Sequence, residues 1–126
     1  MPALKEYQDI TLERLTTFLR RAISLRDVPA AYEQCTLENF GKEGVYNDAG
    51  FPGVPYVCLR LPTGGGKTLL AAHTIPIATK DYLGRDFSLA LWLVPSTGIL
   101  EQTLRALQDT SHWYRQVLDA AFDGNV

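Results

Sequence analysis

The chain has 126 residues, close to the size of one domain, with 46% hydrophobic and 21% charged side chains. That composition excludes a disordered acidic tail, a collagen-like repeat and a disulfide-stapled miniprotein. Twelve basic and fourteen acidic residues leave a net charge of −2, so any case for nucleic-acid binding rests on specific residues.

No apolar run approaches the roughly 18 residues a membrane span needs. The opening Met1-Pro2-Ala3-Leu4-Lys5-Glu6-Tyr7-Gln8 lacks the apolar core of a signal peptide. The two cysteines, Cys35 and Cys58, have neither CxxC spacing nor histidines at zinc-site intervals. They read as free thiols in a reducing compartment, so the expected location is the cytoplasm.

From about Leu4 to Leu25, the residues Leu12, Leu15, Phe18, Leu19, Ala22 and Ile23 recur at three- and four-residue steps, which predicts a helix. Asp27-Val28-Pro29 stops it, and a short helix is expected over Ala30 to Phe40. Residues 41–55, rich in glycine and proline, read as a loop. Tyr56 to Leu61 reads as a short strand, Pro62 to Gly66 as a glycine-rich turn, and Lys67 onward as a helix that Pro76 ends or kinks. Phe87 to Val94 is nearly continuous in apolar character, the pattern of a strand buried on both faces of a parallel sheet. Helices are expected over Ile99 to Leu107 and Ser111 to Phe122. Strands alternating with helices predict an α/β fold.

The chemistry concentrates in Leu61-Pro62-Thr63-Gly64-Gly65-Gly66-Lys67-Thr68, between the expected strand and helix. Glycines let the backbone wrap a phosphate so that N–H groups from about Gly64 to Thr68 point inward. The helix start adds a favourable dipole, Lys67 can reach the terminal phosphates, and the Thr68 hydroxyl is placed to ligate magnesium. The general pattern has glycine at its first position, where this chain has Leu61. A dinucleotide-binding GxGxxG is excluded, because it needs glycine where the chain carries Lys67 or Leu69. Phosphate binding is the reading of this segment.

Pro62 to Thr68, with a non-glycine in front, resembles the first motif of superfamily 2 helicases and translocases of the DEAD/DEAH type. Leu4-Lys5-Glu6-Tyr7-Gln8 is similar to the upstream segment in which a glutamine recognises adenine, and Leu91 to Ser96 followed by Leu100 to Thr103 resembles a motif that meets the nucleic-acid backbone. The wording around these motifs is most similar to the restriction subunit of type III restriction enzymes. The resemblance implies a partial P-loop RecA-like three-layer domain, a parallel sheet flanked by helices, truncated before the strand that bears the acidic motif. Residues 1–126 would then be the N-terminal portion of the ATP-binding helicase domain. Within it, 1–26 form the adenine-recognition helix, 41–55 a loop, and 56–126 the phosphate-loop and DNA-contact elements.

Site by site, the resemblance implies Gln8 on the adenine edge and Thr63, Gly64, Gly65, Gly66, Lys67 and Thr68 around the phosphates of ATP, with Mg2+ on Thr68. Pro95, Ser96, Thr97 and Gln102 would lie near double-stranded DNA. A side-chain amide offers the donor and acceptor that adenine requires, and hydroxyls at a helix start bind phosphate without reading sequence. Gln8 as a polar residue on a helix face, and Ser96-Thr97 as a simple helix cap, are the alternatives. Further implied partners are the remainder of the motor and a modification methyltransferase, with no membrane.

The acidic hydrolysis motif has no counterpart in the chain; Val117-Leu118-Asp119 is the nearest imitation, followed by Ala120. Phosphoryl transfer needs metal, aligned water and charge stabilisation together. The chain is therefore expected to bind nucleotide better than it hydrolyses it, any ATP hydrolase activity belonging to a longer translocase or restriction endonuclease subunit. The alternatives are a stand-alone nucleotide-binding regulatory module, a P-loop kinase, or a non-functional remnant. His73 and His112 lack metal-ligand company, and His112-Trp113-Tyr114-Arg115 reads chiefly as core cover at a helix start.

Overall fold

The structure, a computed structural model, describes residues 3–126. Helix α1 (Glu6–Leu25) buries Leu12, Leu15, Phe18, Leu19 and Ala22, the apolar stripe of its sequence. Arg26, in the left-handed region at φ 52°, ends it, and its N–H donates to the Ile23 carbonyl at 3.2 Å. Asp27 then caps α2 (Val28–Phe40) by accepting from the Ala30 N–H at 3.0 Å. Pro29 sits in the first turn of α2, where a missing N–H costs nothing. The segment that stops one helix thus starts the next, two residues earlier than Ala30.

Gly41, at φ 76°, terminates α2, and the chain runs without regular structure to Gly66. The Tyr46 hydroxyl fastens this stretch by donating to the Val54 carbonyl and accepting from the Tyr56 N–H, each at 2.9 Å. Helix α3 (Lys67–Ile77) carries Pro76 in its last turn and continues into a π-type turn over Ala78–Tyr82. The Leu83 N–H closes that turn on the Ala78 carbonyl at 3.0 Å. Helix α4 (Thr97–Gln108) starts from Ser96, and α5 (Trp113–Phe122) starts from His112.

Two apolar clusters hold these helices. Leu15, Phe18, Leu19 and Ala22 of α1 meet Val28, Ala31 and Cys35 of α2, with Val57 and Leu59 laid against them. Leu69 and Ala72 of α3 meet Val117 of α5, with Leu4, Trp92 and Tyr114 at the margin.

The expected α/β fold, the partial RecA-like three-layer domain with a parallel sheet, is contradicted: among the described residues there are five α-helices and no strand. Residues 56–61 and 87–94 carry no regular structure and exchange no backbone hydrogen bonds with each other. A strand is defined by a neighbour about 4.8 Å away that takes up its N–H and C=O groups. Instead, Val57, Leu59 and Leu61 line an open cleft of about 580 Å³ together with Leu89 and Leu91. Side-chain burial differs from expectation as well. Leu89 is fully exposed, and Leu91 and Leu93 are exposed at 83% and 80%, so the run is not buried on both faces.

Candidate nucleotide site

The glycine-rich turn is shaped by close approach and by positive φ. The Gly65 N–H donates back to the Pro62 carbonyl at 2.9 Å, and Gly64 and Gly66 adopt φ of 73° and 80°. A Cβ on Gly65 would stand 2.7 Å from the Pro62 oxygen, and one on Gly66 would stand 2.5 Å from the Gln8 amide nitrogen. The turn hands the chain to α3, whose first internal bond runs from the Leu70 N–H to the Gly66 carbonyl at 3.0 Å. The N–H groups of Gly66, Lys67 and Thr68 have no acceptor among the described residues. Together with the helix dipole they form a donor set suited to an anion.

Gln8 is buried and fixes this turn from below. Its Nε2 donates to the Gly65 carbonyl at 2.9 Å, while its Oε1 accepts from the Lys5 N–H at 2.9 Å. The Tyr7 hydroxyl donates to the same Gly65 carbonyl at 3.2 Å. Two consecutive side chains at the start of α1 therefore grip one carbonyl of the turn. The contact of Tyr7 escapes sequence reasoning, since 58 positions separate the partners; its one signal is adjacency to Gln8.

The other expected site residues fall into two places. Thr63 and Lys67 are exposed, and Lys67 lines the 580 Å³ cleft beside Leu61 and Leu70. Thr68 lines a different cleft, of about 430 Å³, together with Gln102, Glu101, Asp109 and His112. The magnesium-ligand candidate and one DNA-contact candidate are thus brought together. Pro95, Ser96 and Thr97 are exposed and outside that cleft. Ser96 acts as the cap of α4, its Oγ accepting from the Ile99 N–H at 3.4 Å. Asp119 lies within α5 and accepts from Arg115 Nε at 2.7 Å, as part of an ion pair.

Of the histidines, His112 caps α5 by accepting from the Tyr114 N–H at Nδ1, 3.3 Å away. Burial lowers the pKa of His73, with Asp9 opposing the shift, and His73 Nε2 is buried without a partner. Among the described residues no three His, Cys, Asp or Glu side chains gather as a metal cluster, and no helix is long and apolar enough to cross a membrane.

Comparison with known proteins gives one family. The model of the type III restriction enzyme res subunit matches residues 2–124. Neither the curated proteins nor the solved structures contain a match. With a match spanning nearly its whole length, the chain belongs to the family of the type III restriction enzyme res subunit.

Proposed function

We propose that the chain binds Mg-ATP through Thr63 to Thr68 and serves as the nucleotide-binding portion of an ATP-dependent DNA translocase of a type III restriction system. The observation that carries this reading is the donor set of Gly66, Lys67 and Thr68 at the start of α3. A polyphosphate takes up such N–H groups directly, and the Lys67 ammonium adds a cation within reach of its terminal oxygens. The Thr68 hydroxyl, free of any acceptor among the described residues, fits a metal ligand. Magnesium, when bound, neutralises charge on the phosphate oxygens. Gln8, buried and bonded to Gly65 and Lys5, supports the nucleotide by holding the turn in shape, and its assignment to the adenine edge rests on the family resemblance.

DNA contact is assigned to Pro95, Ser96, Thr97 and Gln102. The support is the exposure of Pro95, Ser96 and Thr97 at the start of α4, where N–H groups and hydroxyls can meet phosphate, and of Gln102 further along the same helix. The sequence carries no paired-acid motif to align magnesium and water, so these 126 residues bind nucleotide better than they hydrolyse it.

Equilibrium titration of the chain with Mg-ATP and with a DNA duplex tests both parts. Lys67→Ala is expected to abolish nucleotide binding and leave DNA affinity unchanged. Ser96→Ala with Gln102→Ala is expected to weaken DNA binding alone. Equal ATP affinity in Lys67→Ala overturns the nucleotide reading, and unchanged DNA affinity in the double variant overturns the second.

A further inference from the structure

A cleft of about 430 Å³ opens between α1, α2 and residues 57–60, and none of its lining residues belongs to the glycine-rich turn. Arg14 and Arg60, the rings of Tyr32 and Phe40, and Cys58 are among the residues that line it. No Asp or Glu lines it. Arg14 and Arg60, like Arg26, Arg85 and Arg105, have no ion-pair partner among the described residues, and Arg14 and Arg60 are the two that line one cleft together. The Arg14 guanidinium instead lies over the Phe40 ring, 5.2 Å from its centroid. Two guanidinium groups without counter-charge, lining one concavity of ligand size with aromatic rings beside them, create a local positive potential there.

We propose that this cleft binds a small planar aromatic anion, its carboxylate or phosphate held by Arg14 and Arg60 and its ring laid against Phe40 and Tyr32. The guanidinium fork matches either oxyanion bidentately. Phe40 and Tyr32 supply offset or edge contacts to a flat ring, which an aliphatic anion of equal charge cannot use. The site shares no residue with the phosphate loop and stands independently of nucleotide binding there.

Cys58, exposed at the cleft, reports occupancy. Its thiolate attacks one sulfur of an aromatic disulfide, forming a mixed disulfide and releasing the other half as a thiolate. The rate is measured on the 126-residue chain with dithiobis(nitrobenzoate), whose rings bear carboxylates, and with neutral dithiodipyridine. Cys58→Ala identifies the phase that belongs to this thiol. Arg60→Gln, and Arg14→Gln with it, are expected to slow the anionic reagent about tenfold or more relative to the neutral one. Equal slowing of both reagents overturns the proposal, because the arginines then act only on the thiol.

Nitrobenzoate or nitrophenyl phosphate, added at saturation, is expected to protect Cys58 from dithiodipyridine in the unaltered chain, while neutral nitrobenzamide is not. Protection by one anion alone assigns the carboxylate or the phosphate as the ligand's charged group. Protection by neither, or equally by nitrobenzamide, overturns the proposal.

Discussion

Gly66→Ala probes the grip of α1 on the glycine-rich turn. At φ 80° an alanine pays for the left-handed conformation, about 1–2 kcal/mol. Its Cβ would also stand 2.5 Å from Gln8 Nε2, so the amide must shift, which strains or breaks its bond to the Gly65 carbonyl. Breaking a hydrogen bond of a buried side chain costs a further ~1–3 kcal/mol. Gly64→Ala is the control: its φ is 73°, but the space around its Cβ is open, so only the first cost applies. Urea unfolding should place Gly66→Ala below Gly64→Ala by about 1–3 kcal/mol at an unchanged slope. In a double-mutant cycle, Gln8→Ala should remove most of the excess, since the clash and the bond then no longer exist. If Gly66→Ala and Gly64→Ala destabilise equally, or if the cycle shows no coupling, the clasp between Gln8 and the turn is refuted.

The remaining expectations concern the core, a cap and one titration. Phe18, only 4% exposed in the α1–α2 cluster, should lose about 3–5 kcal/mol of stability on replacement by alanine; a loss under about 1 kcal/mol in chemical denaturation would contradict the placement. Ser96→Ala should cost about 0.5 kcal/mol, the low end for a cap, because its bond to Ile99 is long at 3.4 Å; a loss of 2 kcal/mol or more, on the same scale, would contradict a cap of that length. The folded pKa of His73 is lowered from 6.5, so the unfolded chain binds the proton more readily. The stability from neutral His73 is full above pH 6.5 and falls as pH drops through the folded value. His73→Phe should flatten that fall in unfolding curves recorded across the acid range, and an unchanged slope would refute the assignment.

The helices were legible because each carries its own signal. The stripe of Leu12, Leu15, Phe18, Leu19 and Ala22 dictates which side of α1 is buried, and Asp27 and Ser96 are side chains that cap. The sheet was misread because an apolar run reports a preference for burial, whereas a strand needs a partner for its backbone. Phe87 to Val94 has the composition of a buried strand, but its backbone takes no hydrogen-bonded neighbour among the described residues, and Leu89 is left in solvent. Pro76 marked the irregularity in its helix without revealing that a π-type turn would follow. In the site, local spacing located the glycine turn between Leu61 and Thr68. The hold of Tyr7 and Gln8 on Gly65 is a long-range contact, invisible to any reading confined to a window of neighbours.

The central claim, nucleotide binding through Lys67, is tested most directly by thermal unfolding of the chain with and without saturating Mg-ATP, beside Lys67→Ala. A ligand that binds only the folded state stabilises it by about 2.7 kcal/mol at a hundredfold excess over its dissociation constant. The account predicts a cooperative melt whose midpoint rises with Mg-ATP in the unaltered chain and stays fixed in Lys67→Ala. A midpoint that ignores Mg-ATP, or that rises equally in both proteins, would contradict it.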